Sequence, residues 1–116
     1  MFVKQFLIGG DRNFGYLVAD ETSAQAVVID PSYSPGTIVD FAHKQGYTIQ
    51  YIFNTHGHYD HTNGNAEIKK LTGKAPLLFG DTEPHTGITV TDGTIFPLGE
   101  LHITIIHTPG HTTDSI

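Results

Sequence analysis

Apolar and polar positions along the chain divide it into short β-rich runs, two helical stretches and a set of turns. Residues 2–8 (Phe-Val-Lys-Gln-Phe-Leu-Ile) predict a first strand, closed by the breaker Gly9-Gly10-Asp11. Phe14–Ala19 predicts a second strand and Ala24–Ile29 a third, with Asp20-Glu21-Thr22-Ser23 as a hairpin loop between them. The run Ala26-Val27-Val28-Ile29 is apolar without interruption, the pattern of a strand buried on both faces. Asp30-Pro31 ends it. Ser34 suits a helix N-cap and Pro35 the first helical position. Ile38, Phe41 and Ala42 then share a stripe, and Gly46 supplies the stop. Tyr47–Phe53 is β-rich and predicts the next strand. Residues 24–53 therefore read as a β-α-β unit with a right-handed crossover.

Downstream, residues 65–72 predict a second helix with Ile68 and Leu71 inward, stopped by Gly73. Ala75–Phe79 reads as a short strand and residues 80–87 as loop. Ile88–Val90 and Thr94–Phe96 flank Asp92-Gly93, a strong hairpin signal. In Leu101–His107 the residues Leu101, Ile103 and Ile105 alternate with His102 and Thr104, which predicts a last strand. Phe2, Phe6, Phe14, Tyr16, Phe41, Tyr51 and Phe53 read as core. With no internal repeat or linker, residues 1–116 read as a single domain, expected to be incomplete, of the α/β (α+β) class with a mixed sheet and two helices.

Bulk composition narrows the function. The 116 residues are 38% apolar and 16% charged, which is globular. The net charge of −6 speaks against a nucleic-acid surface, which needs clustered Lys and Arg. With no cysteine there is no disulfide, thiolate ligand or Cys nucleophile. The start Met1-Phe2-Val3-Lys4-Gln5 lacks a signal-peptide pattern, and no apolar run has the length of a membrane span. A cytoplasmic location without a membrane partner is the default expectation.

The chemistry concentrates in Asn54-Thr55-His56-Gly57-His58-Tyr59-Asp60-His61-Thr62-Asn63-Gly64-Asn65, where His56, His58, Asp60 and His61 fall within one short segment. Imidazoles and a carboxylate are the ligand set of zinc or iron. In an extended loop His56 and His58 point to one side, and Asp60 and His61 come next, where the chain turns into a helix. The segment sits past the C-terminal end of the Tyr47–Phe53 strand, the edge where open α/β sheets bind ligands.

This wording resembles the His-x-His-x-Asp-His motif of the metallo-β-lactamase superfamily, and within it the glyoxalase II (hydroxyacylglutathione hydrolase) branch. A second motif agrees, His107-Thr108-Pro109-Gly110-His111-Thr112. The resemblance implies the N-terminal half of an αββα sandwich, in a family whose domain continues beyond residue 116. It implies a first metal site of His56, His58 and His111, three imidazoles that leave a position open for water. Asp60 and His61 are by the same resemblance ligands of a second ion. The family's bridging Asp and a further His would lie after Ile116, so the expectation is one firmly held ion, zinc first, with iron or manganese as other choices. Asp114 is not promoted to the bridging role. Asp60 is then also a candidate base or water-orienting group, its plain alternative being a helix N-terminal acid.

Asp30 by resemblance orients a metal-bound imidazole or the motif loop from behind; the plain alternative is a strand-end turn residue. The hydroxyls of Thr55, Thr62 and Thr112 either steady the ligand loops or belong to ordinary β-prone loop residues. Gly57, Gly64 and Gly110 read as positions where a Cβ would obstruct the backbone. His43, His85 and His102 read as surface residues and His107 as packing.

Three functions fit these residues. The first is a hydrolase in which zinc-bound hydroxide attacks a thioester or related ester of a small-molecule substrate. The second is a mononuclear iron enzyme like the persulfide dioxygenases. The third is a non-catalytic half-domain that needs a partner chain, completing its sandwich as a homodimer or by segment swapping.

Overall fold

The computed structural model describes residues 1–9 and 13–116; the expected break at Gly10-Asp11 lies outside the described residues. Strands β1 (Phe2–Gly9), β2 (Asn13–Asp20) and β3 (Gln25–Ile29) form an antiparallel meander. Helix α1 (Pro35–Lys44) then crosses to β4 (Thr48–Phe53), which lies parallel to β3. The sheet order is β1-β2-β3-β4, so the mixed sheet and its β-α-β unit stand where the apolar run and the Pro35–Gly46 signals put them. A single helical turn α2 (Tyr59–Thr62), helix α3 (Asn65–Thr72) and a hairpin of β5 (Ile95–Leu98) and β6 (Leu101–Thr104) complete the elements.

Both faces of the central strands are covered, by different layers. Leu17, Ala19, Ala26, Val28 and Ile52 meet Ile38, Val39 and Ala42 of α1 and Ile68 of α3. The alternate set, Val27, Tyr51 and Phe53, meets Phe96, Leu98 and Ile105 of the hairpin region. There the Phe96 ring stands edge-on to Tyr51 and Phe53, at centroid distances of 5.2 and 5.1 Å. Burying each large apolar side chain contributes about 1.5–3 kcal/mol. The two clusters are therefore the main reason the sheet holds still. Among the described residues no helix is long and apolar enough to cross a membrane.

Several expectations need correction. Leu71 is exposed, because α3 turns only Ile68 into the core. Phe14 is 40% exposed rather than core, since the hairpin does not reach the outer end of β2. Ala75–Phe79 contributes a single parallel bridge, Phe53 to Leu77. Asp92-Gly93 does form a tight turn, closed by Thr94 N–H to the Thr91 carbonyl at 3.1 Å. Its flanks, however, pair elsewhere: Val90 bonds to Gly80 and Asp81, and β5 pairs with β6 around Gly99-Glu100. The last strand accordingly ends at Thr104, short of His107.

The C-terminal ends of β3 and β4 lie together, tied by Asp30 N–H to the Phe53 carbonyl at 2.9 Å. Gly64, leading into α3, is pressed against the loop after β3. A Cβ built there would lie 2.1 Å from the Ser32 carbonyl oxygen and 3.0 Å from Pro35 Cγ. Gly36, in α1, has nothing within 4 Å of the same added atom. Gly64→Ala is accordingly expected to destabilise the protein by about 2 kcal/mol, whereas Gly36→Ala is neutral or stabilising by up to about 1 kcal/mol. Equal urea midpoints for the two variants would mean that the close approach at Gly64 carries no such cost.

Candidate metal centre

Three segments meet at the edge formed by the ends of β3 and β4: the turn after Asp30, the 54–62 loop, and the loop after β6. Asp30 and Ser32 in the first have positive φ, +50° and +42°, a region uncommon for residues other than glycine, though Asp is among the types that enter it most readily. Asp30 is 3% exposed. Its Oδ1 accepts from Thr55 N–H at 2.9 Å, and its Oδ2 accepts from Thr55 Oγ1 at 2.7 Å and from His61 Nδ1 at 3.0 Å. One carboxylate thus fixes the start of the motif loop and one of its imidazoles.

Proton positions can be read from these contacts. A hydroxyl has one proton, and Thr55 gives it to Asp30. At 3.0 Å from His56 Nδ1, Thr55 Oγ1 must therefore accept, which puts the His56 proton on Nδ1. His56 Nε2 is left with a bare lone pair, and it is buried with no hydrogen-bond partner. The Asp30 carboxylate only accepts, so His61 donates to it through Nδ1.

His56, His58 and His111 converge: one ligand nitrogen from each lies within 4.8 Å of the other two. Ring centroids are 4.6 Å apart for His56–His58, 4.9 Å for His56–His111 and 4.8 Å for His58–His111. Crowded imidazoles with a buried, unpaired acceptor fit a divalent cation. Such nitrogens are its ordinary ligands, and a lone pair without a partner is costly in a buried site. His58 and His111 are exposed, so the cluster opens to solvent.

Asp60 and His61 lie beside this group rather than in it. The His61 ring is 4.1 Å from that of His56, and its Nε2 is 3.7 Å from Asp60 Oδ2. Asp60 stands in the first turn of α2, so its helix-terminal position and its place beside the cluster coexist. Three residues not singled out by sequence hold this edge. Asn13 donates to the Asp60 carbonyl at 2.9 Å and to its Oδ2 at 3.1 Å; Ser32 Oγ donates to the same carbonyl at 2.7 Å. Fully buried Asn54 donates to the His61 carbonyl at 3.2 Å and accepts from Asn65 at 2.7 Å. A polar residue directly after a buried strand was the available signal for Asn54; Asn13 and Ser32 carry none. His107 stacks on Phe79 at 4.1 Å, and His43, His85 and His102 are exposed.

Burial, then the neighbouring His61 and His58, disfavour the protonated form of His56 and lower its pKa below 6.5. Asp60 is held below the usual carboxylate value chiefly by the Asn13 hydrogen bond.

The family model of the metallo-beta-lactamase superfamily matches residues 8–116. A hydroxyacylglutathione hydrolase of Rhodospirillum rubrum is 42% identical over 107 residues, which span 90% of this chain and 41% of that protein. The cytoplasmic isozyme of Saccharomyces cerevisiae is 35% identical over 121 residues, spanning 98% of this chain and 44% of that one. The crystal structure of ETHE1 from Myxococcus xanthus has the same fold at a TM-score of 0.84 and 27% identity, over 99% of this chain and 52% of its own. The chain spans less than half the length of the curated relatives it matches.

Two outcomes are expected of metal-free protein. The unfolded chain protonates its histidine more readily than folded His56 does, so stability falls as pH drops through 6.5 towards the lower folded-state value. Urea midpoints between about pH 7.5 and 5 should show this, with a shallower slope in His56→Gln; an unchanged slope excludes His56 as the cause. Thr55→Val removes one of the three donors to Asp30 and leaves His56 Nδ1–H without its acceptor, and should cost about 2 kcal/mol, while Thr55→Ser retains the parental midpoint.

Proposed function

The chain belongs to the metallo-β-lactamase superfamily, and on that premise we propose that it is the ligand-bearing part of a metal-dependent hydrolase of the glyoxalase II kind. The observation that carries this reading is the convergence of His56, His58 and His111, with His56 Nε2 buried and unpartnered among them. His56, His58 and His111 would hold one zinc, with iron or manganese as the other candidates. When bound, such an ion supplies a water acidic enough to ionise near neutral pH and a Lewis acid for a carbonyl oxygen.

The chain's own residues divide the remaining work. Thr55, itself held by Asp30, fixes the proton of His56 on Nδ1 and leaves Nε2 free as a ligand, while Asp30 fixes the ring of His61 directly. Asp60, ionised and steadied by Asn13, stands next to His61 Nε2. There it would act as a local base or, with His61, as a ligand pair for a second ion. The substrate class is a thioester or related ester, because the relatives' name denotes hydrolysis of a hydroxyacylglutathione. The same relatives include a cytoplasmic isozyme, which supports a cytoplasmic location.

Two other readings have observations behind them. The backbone likeness to ETHE1 is compatible with a mononuclear iron enzyme of the persulfide dioxygenase kind. The half-domain reading draws on Val3, Leu7 and Phe14. They are 54%, 68% and 40% exposed and lie on the sheet face opposite α1, which a second copy, a swapped segment or another chain would cover.

Zinc titrated into metal-free protein is expected to bind at about one equivalent, and His58→Ala and His111→Ala each to bind at least about tenfold more weakly. Parental affinity in both variants would refute the site. Hydrolysis of a glutathione thioester by the zinc-loaded chain, tracked alongside its mass by light scattering, separates a hydrolase from an inert half-domain. Oxygen uptake with a persulfide by the iron-loaded chain would favour the dioxygenase instead.

A further inference from the structure

His111 reaches the cluster on a loop with little burial of its own. Residues 108–111 are exposed, and Gly110 has a φ of +152°. The turn immediately C-terminal to His111 is better tied. Residues 112–115 fold back, with Thr108 N–H donating to the Ser115 carbonyl at 2.8 Å and Gly110 N–H to the Thr112 carbonyl at 3.1 Å. Ser115 is 8% exposed.

Hydroxyl protons in this turn can be assigned. The Asp114 carboxylate only accepts, so Thr112 Oγ1 donates to its Oδ1, at 2.5 Å. Thr112 Oγ1 then accepts from Ser115 Oγ at 2.6 Å, and Ser115 Oγ accepts from Thr112 N–H at 3.2 Å. The hydroxyls of Thr112 and Ser115 thus have defined roles, and Asp114 is where this chain of donors ends.

The other carboxylate oxygen leaves the turn altogether. Asp114 Oδ2 lies where a Cβ added to Gly57 would be 3.0 Å away, against the residue between the ligands His56 and His58. The Gly57 backbone also helps hold the Asp114 pKa below the usual carboxylate value, after the larger effect of the Thr112 hydrogen bond. A second tie runs parallel to it, from Ile116 N–H to the Thr55 carbonyl at 2.8 Å.

We propose that Asp114 is a positioning residue for the metal centre: its carboxylate straps the Thr112–Ser115 turn to the 55–57 segment and thereby keeps His111 within reach of His56 and His58. This role rests on the assignment of the three histidines as metal ligands. It also gives the chain a way to assemble a three-imidazole site from two segments about fifty residues apart without burying the third ligand.

The test is zinc affinity by competition with a chromophoric chelator. The samples are the full chain, Asp114→Ala, Thr112→Val, the double variant and His111→Ala. Asp114→Ala should bind zinc about tenfold more weakly, with little change in the thermal midpoint of the metal-free protein. Its cobalt-loaded form should show weaker d–d absorption, the mark of a lost imidazole. Thr112→Val leaves the charge in place but breaks the strap, so it should weaken binding similarly, and the double variant should lose little more. Parental affinity in Asp114→Ala overturns the proposal. So does parental affinity in Thr112→Val alone, since charge and not the strap would then be responsible. Should Asp114→Ala not fold, Asp114→Asn replaces it, with an intermediate loss expected and parental affinity again overturning the strap. His111→Ala separates the two levels: if it binds zinc like the parent, the metal assignment itself fails.

Discussion

The Asp30 carboxylate is the tie on which the arrangement depends. It is buried at the end of β3, where the backbone turns through the left-handed region, φ +50°. It takes protons from the Thr55 amide, the Thr55 hydroxyl and His61 Nδ1. A buried charge is tolerated when donors surround it, and losing a donor is costly because the charge remains. Strand end, motif loop and imidazole orientation are thus fixed by one group. The position of His56 Nε2 depends on it through a single hydroxyl.

Around that tie the site is layered by exposure. His56 is buried and its tautomer is set; His58 and His111 face solvent. His61 is turned inward by Asp30 and outward by Asp60, which keeps it close to the cluster without joining it. Two glycines near the histidines, Gly57 and Gly64, are used for space. Gly64 lets α3 approach the turn that carries Ser32, and Gly57 makes room for a carboxylate from the far end of the chain.

Much of this is legible in the sequence, for physical reasons that can be named. The β-α-β unit shows because Val27 and Val28 are apolar on both sides and Pro35 and Gly46 mark the helix limits. The Gly73 stop is realised as a left-handed C-cap, φ 75°. The late hairpin is misplaced by pattern because Asp92-Gly93 specifies a turn but not the partner of its flanks. The true β5 contains Pro97, a residue that argues against a strand except at an edge. Leu71 and Phe14 look like core by type, yet burial depends on which layer reaches them. The ligand spacing stands out, while the supports Asn13, Ser32 and Asn54 do not, since hydrogen bonds between distant loops leave no periodicity. Asp114 has no ligand spacing to mark it; its contacts are with the loops that carry the ligands.

The sheet's two apolar clusters share β3 and β4 but few side chains, one belonging to the helices and the other to the hairpin. Cooperative units of this kind can open separately, each with its own free energy. Excursions of the hairpin side would pull on the Pro109–His111 arm, and the ties from Asp114 and Ile116 to the 55–57 segment are what would hold it in register with His56. Slow amide exchange in β2 and β3, with faster exchange from β5 onward, would be the trace of such a hinge.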